Sequence, residues 1–330
     1  MGRELPQGRR VGNYSVERLL GKGGLSAVYA ARQALIDRPC VLTVFHLDPE
    51  AEPWYRFRRE VEQMNALRHP AVIETLDVGT TFDGIPYLVT ELVPGEDLAT
   101  RLRHAGALTL AEALSLARQV GAALQAAHAV GVVHRDIRPG TLFLVSPDPE
   151  TEPTFERVKV LGFGVGRLLM ATVSGMALVG APEYMAPEQV LGSDLDVGPR
   201  ADQYALGVVL YQALTTSRPY AGDSVGATLL AVTRGQIEPL RALRPDIPVH
   251  VEAAIHRAMS RDPEARFPDL PSFLLALQEG VPLPVGVAEL TEPWLSPPTV
   301  EEERVAAEAL LGELGATPVA PLSLGVSAAL

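Results

Sequence analysis

Residues 55–70 read YRFRREVEQMNALRHP, and residues 180–188 read GAPEYMAPE. In the first stretch Phe57, Val61, Met64 and Leu67 recur at spacings of three and four, which predicts a helix over 55–67 with one buried face. Working outward, the residues on both sides of that helix form short runs rich in β-branched side chains, divided by Gly, Pro and Asp. Runs 11–20, 27–33, 40–47, 71–78 and 85–92 read as strands. From Gly95 onward helices dominate. The clearest covers 109–130, where Leu110, Leu114, Ala117, Val120, Ala123, Leu124 and Ala127 make a continuous apolar stripe; others are expected at 201–215, 224–234, 249–260 and 270–279. A small sheet-rich part therefore precedes a larger helical part.

The 330 residues suffice for a sizeable core, and 47% apolar with 21% charged side chains is ordinary for a globular protein. A net charge of −12 argues against nucleic acid or an anionic membrane surface as the main partner, since both require a basic footprint. The single cysteine, Cys40, excludes an internal disulfide and a Cys-rich zinc site. No apolar run is long enough to span a bilayer, and the first ten residues, MGRELPQGRR, have no signal-peptide core. These features lead to the expectation of a cytoplasmic protein. Lysine occurs twice, at Lys22 and Lys159, among 28 basic residues; with the abundant Ala, Gly and Pro this bias suggests a GC-rich bacterial genome. A Lys-to-Arg change is then codon drift, whereas Lys-to-Thr is not.

The glycine run Gly21-Lys22-Gly23-Gly24-Leu25-Ser26-Ala27-Val28 sits between two strand candidates. Glycines let backbone N–H groups approach phosphates, although any Gly-rich hairpin has the same pattern. Residues further along the chain give the run its meaning: Glu60 on the helix, His134-Arg135-Asp136, Gly162-Phe163-Gly164, Ala186-Pro187-Glu188, Asp202, and Arg266 after Asp262-Pro263. In this order and spacing, over about residues 12–280, the chain resembles the bacterial eukaryotic-like (Hanks-type) Ser/Thr protein kinases.

The resemblance implies an α+β, bilobal protein-kinase-like fold. A small β-rich N-lobe would span 12–92 and a larger α-helical C-lobe 93–280, after an N-terminal extension at 1–11. It also places a hinge at Glu91–Val93, Thr90 at the gatekeeper position, and Glu188 with Arg266 as a buried C-lobe pair. Residues 281–298 read as a Pro-rich linker, 299–314 as a short helix and 315–330 as a mobile tail.

Phosphoryl transfer in this family is mostly positioning and charge neutralisation. The strand lysine that holds the nucleotide phosphates falls on Thr43, which deprives Glu60 of its expected partner. The metal-binding Asp of Asp-Phe-Gly is Gly162, and the catalytic-loop Asn is Thr141. The Thr of Gly-Thr-Pro is Ala181. Asp136, the family's base, is retained, and Arg138 takes the catalytic-loop Lys position. A metal bridging phosphates needs hard oxygen donors that Gly162 lacks, so no metal ligand set is expected. Four departures, all at the chemistry, beside an intact scaffold imply a pseudokinase.

The nucleotide-contacting positions implied are Gly21, Lys22, Gly23, Gly24, Ser26, Val28, Val41, Thr90, Glu91, Val93 and Phe143. Val41 and Phe143 are large for the roof and floor of an adenine slot and are expected to crowd it. The glycine run and the small Thr90 speak for ATP, so ATP stays in question as a ligand while Mg²⁺ is not expected. His134, Phe163 and Met64 fall on the family's stacked regulatory positions, with polar Thr75 at the fourth. Arg135 is a candidate to meet a phosphate on Thr172 or Ser174, and 145–152 is an acidic Pro-rich insert. The leading expectation is a regulatory or scaffolding module whose partner is a protein, an active Ser/Thr kinase or its substrate. The alternatives are a weak kinase that uses Lys22 or Arg138 as substitutes, and a transferase of different phosphate chemistry.

Overall fold

The computed structural model describes residues 4–22, 26–50, 52–146, 157–164, 181–191 and 197–278. Among them β1 (Arg10–Val11), β2 (Tyr14–Lys22), β3 (Ser26–Gln33), β4 (Arg38–Phe45), β5 (Thr75–Thr80) and β6 (Pro86–Glu91) form one antiparallel sheet in the order β1-β2-β3-β4-β6-β5. Alternation along β4 sends Cys40, Leu42 and Val44 into a core with Tyr14, Tyr29 and Val89, while Val41 and Thr43 face the opposite side. On that side α1 (Glu52–Leu67) packs Trp54, Phe57 and Val61 against Phe45 and Leu88.

The second part is built on α3 (Leu110–Ala129). Thr109 and Glu112 close a reciprocal cap at its start: the Thr109 hydroxyl accepts from the Glu112 N–H at 3.2 Å and the Glu112 carboxylate accepts from the Thr109 N–H at 2.7 Å. Before it, α2 (Leu98–Ala105) is capped by Asp97. After it come α4 (Pro187–Leu191), α5 (Pro199–Thr215), α6 (Val225–Arg234), α7 (Leu240–Leu243), α8 (Val249–Ala258) and α9 (Leu270–Gln278). Most of α5 is buried, with Asp202 and Gln203 buried among its apolar side chains. A three-stranded sheet, β7 (Gly95–Asp97), β8 (Leu142–Val145) and β9 (Arg157–Val160), lies in this helical part and was not anticipated.

Three expectations need correction. The run 71–78 is not one strand: Ala71 and Ile73 bond to Val160 of β9, and β5 begins only at Thr75. Residues 1–11 are not merely an extension, because Arg10–Val11 join the sheet and the Leu5 N–H donates to the Tyr29 hydroxyl at 3.0 Å. The helix expected from Tyr55 starts at Glu52, with Pro53 in its first turn, where a missing N–H costs nothing. The insert beyond Ser146, Thr172, Ser174 and residues 279–330 lie outside the described residues.

Candidate active-site cleft

The loop from His134 to Thr141 is held from below by one carboxylate. Asp202, at the start of α5 and fully buried, accepts from the His134 N–H at 2.8 Å, the Arg135 N–H at 2.7 Å and His128 Nε2 at 2.8 Å. Burial works against its charge, but the bond from His128 and the loop N–H groups keep its pKa below the usual carboxylate range. Arg135 adopts φ 66°, a left-handed turn that aims these N–H groups at Asp202.

His134 is the next layer. Its Nδ1 accepts the Asp136 N–H at 3.2 Å, so the proton sits on Nε2, which donates to the Leu161 carbonyl at 2.9 Å. Burial lowers its pKa, leaving the ring neutral at pH 7. The edge of the ring meets Phe163 at 4.6 Å between centroids and 65° between planes. Met64 on α1, Thr75 on β5 and Phe163 line one cleft, and His134 touches it through its contact with Phe163.

That cleft encloses about 1190 Å³. The structure brings together at its wall Thr43, Asp136, Arg138, Thr141, Gly162 and Ala181, together with Ser26, Val28, Val41, Thr90 and Glu91. At the deep end Thr43 pairs with Val28 on one side and Leu88 on the other. Gly162 has φ 86°, the left-handed conformation that glycine adopts without strain. Thr141 is consumed by its own loop: its hydroxyl lies 2.9 Å from the carbonyls of both Asp136 and Arg138 and accepts the Arg138 N–H at 3.1 Å. Arg138 folds back over Gly140, and its Nε donates to Asp136 Oδ2 at 3.1 Å.

The remaining site residues are more scattered. Lys22 pairs with Glu4 at 3.3 Å, on the surface. Gly21 pairs with Val28 across β2 and β3, while Gly23 and Gly24 lie outside the described residues. Val93 lies in the link between β6 and β7. Phe143 is absent from the cleft wall; on β8 its ring lies against Gly95, where an added Cβ would stand 2.9 Å from it. The expected crowding from both faces therefore reduces to Val41. Glu60 borders Gly164, whose own added Cβ would come within 3.4 Å of the carboxylate. Sequence reasoning missed Lys159, on β9: its ammonium donates to Glu91 at 2.6 Å and to the Val72 carbonyl at 3.3 Å. The rarity of lysine in this chain was the available signal.

Comparison with known proteins matches residues 14–269 to the protein kinase domain. The chain belongs to the protein kinase family. Relatives of this kinase-family chain include the serine/threonine-protein kinase Pkn3 of Myxococcus xanthus, 38% identical over 276 residues, covering 80% of this chain and 49% of Pkn3. Another is PknA of Mycobacterium tuberculosis, 37% identical over 265 residues, covering 78% of this chain and 58% of PknA. The chain thus spans about half the length of these relatives. The crystal structure of the Mycobacterium tuberculosis PknI kinase domain superposes with a TM-score of 0.66 at 28% identity, covering 84% of this chain and 99% of that one. The fold is the α+β kinase fold.

The residues present do not fit the metal-bound nucleotide triphosphate that kinase chemistry uses. Gly162 has no ligand atom, the Thr141 hydroxyl is already engaged, and Asp136 is paired with Arg138. Among the described residues no group of three or more His, Cys, Asp or Glu side chains is placed to hold a metal. Nor, among them, is any helix long and apolar enough to cross a membrane.

Proposed function

We propose that this kinase-family chain is a pseudokinase, a regulatory or scaffolding module of phosphorylation signalling whose phosphotransfer is abolished or strongly impaired. The observation that carries this reading is the Thr141 hydroxyl. The side chain at the second metal position lines the cleft, but its hydroxyl is bonded to carbonyls of its own loop. With Thr43 and Gly162 beside it, the deep end offers neither the cation nor the oxygen donors that transfer requires. Missing metal stabilisation of several kcal/mol corresponds to a rate loss on the order of 10²–10⁴.

Among the described residues the scaffold, by contrast, keeps its main ties. Asp202 holds the loop, His134 meets Phe163, and Glu188 binds Arg266 through two bonds of 2.7 and 2.8 Å. Such a body suits recognition of a protein partner, an active Ser/Thr kinase or its substrate. The rival reading, a weak kinase with substitute cations, finds Lys22 directed to Glu4 and Arg138 occupied by Asp136.

The test is transfer of labelled γ-phosphate to a generic acceptor protein and to the chain itself, with Mg²⁺ and with Mn²⁺. No transfer above that of Asp136→Asn is expected. Metal-dependent transfer that this substitution removes would overturn the reading.

A further inference from the structure

Residues 71–74, in the link between α1 and β5, are bonded on both sides. On one side the Val160 N–H of β9 donates to the Ala71 carbonyl at 2.7 Å, and the Ile73 N–H donates to the Val160 carbonyl at 3.1 Å. On the other side the Glu91 N–H, at the end of β6, donates to the Glu74 carbonyl at 3.0 Å, and the Glu74 N–H donates back to Glu91 Oε1 at 2.9 Å. The link therefore belongs to both lobes. Its bonds to β9 tie it to the helical part, and its bonds to Glu91 tie it to the six-stranded sheet.

A side chain crosses this seam. Lys159 of β9 donates to Glu91 Oε1 at 2.6 Å and to the Val72 carbonyl at 3.3 Å, so a single carboxylate oxygen receives both the ammonium and the Glu74 N–H. The Lys159 and Glu91 side chains are only 21% and 18% exposed. Arg38 and Glu74 form a second pair at the rim, 3.0 Å apart, but at 44% and 53% exposure water screens it and it adds little. The inner pair differs: neutralising one partner leaves the other charge largely enclosed in the seam. Lysine suits the place. A compact ammonium on a flexible stem reaches one oxygen of Glu91 and one backbone carbonyl. The planar fork of arginine, the basic residue this chain otherwise prefers, is built for two parallel bonds to a carboxylate.

We infer that Lys159 and Glu91, closed over residues 71–74, are a conformational clamp that sets the angle between the two lobes. The chain crosses from β6 to β7 at residues 92–94, a short pivot. The ion pair and the two backbone bonds at Val160 add a second point of attachment, and two points fix an angle where one leaves it free. Releasing the clamp lets the sheet rock against the helical part about that pivot, a hinge motion. Lys159 and Glu91 are thus positioning residues. The inference concerns lobe geometry alone and stands whether or not the cleft transfers phosphate.

The experiment is hydrogen exchange of the full chain, read by mass spectrometry in peptides covering 71–76 and 157–161. The β3–β4 ladder and α5, one in each lobe, serve as internal references. The variants are Lys159→Met, Glu91→Gln and the two together. Each single change should speed exchange in both seam peptides about tenfold and leave the references unchanged. The double variant should exchange no faster than the faster single variant, because the two residues act as one link. Small-angle X-ray scattering should give the same variants a larger radius of gyration, the direct sign of lobes that open. Lys159→Gln serves if Lys159→Met fails to fold. Unchanged seam exchange, an equal rise at the references, effects that multiply in the double variant, or faster exchange with no gain in radius would each overturn the inference. None of these results decides phosphotransfer, which the labelled-phosphate assay reads separately.

Discussion

The Thr141 hydroxyl lies 2.9 Å from the Asp136 carbonyl and takes the Arg138 N–H at 3.1 Å, so one side chain satisfies both ends of the catalytic-loop turn. Threonine at this place is therefore a structural residue. Thr141→Val keeps the shape but leaves the Arg138 N–H without its acceptor, and should cost about 1–3 kcal/mol in urea denaturation. A loss below about 0.5 kcal/mol would mean the hydroxyl does not hold the loop.

Restoring the family's residues tests the same point from the other direction. Gly162→Asp places a side chain at φ 86°, a strain of about 1–2 kcal/mol that Asp tolerates better than most residues. Alone it should give no Mg²⁺-dependent thermal shift with ATP, because Thr43 and Thr141 remain. The triple change Thr43→Lys, Thr141→Asn and Gly162→Asp should produce one. A metal-dependent shift in the unmodified chain would contradict this.

Arg266 and Glu188 give the strongest stability prediction. The Arg266 side chain is fully buried, lies 4.9 Å above the Tyr204 ring, and also donates to the carbonyls of Ser260 and Arg200. Glu188→Ala leaves that guanidinium buried without its counter-ion, a change worth about 3–5 kcal/mol. Glu264→Gln removes a partner of Arg200 at an exposed site and should change stability by less than about 1 kcal/mol. Equal effects from the two variants would refute the distinction.

The fold was legible where pattern and contact coincide. The stripe through Leu114, Ala117, Val120 and Leu124 gave α3 and its start near Thr109. It failed at 71–78, because a β-branched run carries no sign that Ala71 and Ile73 bond to Val160, almost ninety residues away. The short strands β7 to β9 escaped for the same reason. In the site, residue identity exposed the absent chemistry at Thr43, Thr141, Gly162 and Ala181. It did not reveal that Phe143 turns toward Gly95, or that Lys22, Lys159 and Arg138 each meet a carboxylate. Those are long-range or rotamer facts that spacing along the chain does not encode.

Stability should rise with pH between about 5 and 6.5. Burial lowers the pKa of His69, His134 and His256. In the unfolded chain each imidazole takes up a proton near pH 6.5, while the folded protein resists until lower pH. Acidification through that window therefore favours the unfolded chain, and above it the effect is complete. Urea midpoints measured from pH 5 to pH 8 should climb and then level off. His134→Gln should flatten part of the climb while lowering the plateau. At lower pH a second loss should begin as Asp202, whose pKa is depressed, gains its proton. A midpoint that stays constant from pH 5 to pH 8 would contradict the histidine argument.

Cys40 is a built-in reporter of the sheet that roofs the cleft. Its thiol is fully buried, bonds to the Ala31 carbonyl at 3.4 Å, and burial pushes its pKa up to about 11. At pH 8 only about a thousandth of such a thiol is thiolate, the reactive form. Reaction with a thiol reagent must then pass through opening of β4 from its neighbours, so its rate follows the local stability of that strand. Cys40 also pairs with Glu91 in the β4–β6 ladder, at the edge of the cleft. A ligand that holds the cleft closed should slow labelling in proportion to its occupancy. Slow labelling in native buffer and prompt labelling in urea are the expected results. Rapid stoichiometric labelling of the native chain would show that β4 opens without unfolding, and that the cleft roof is not the rigid surface its hydrogen bonds imply.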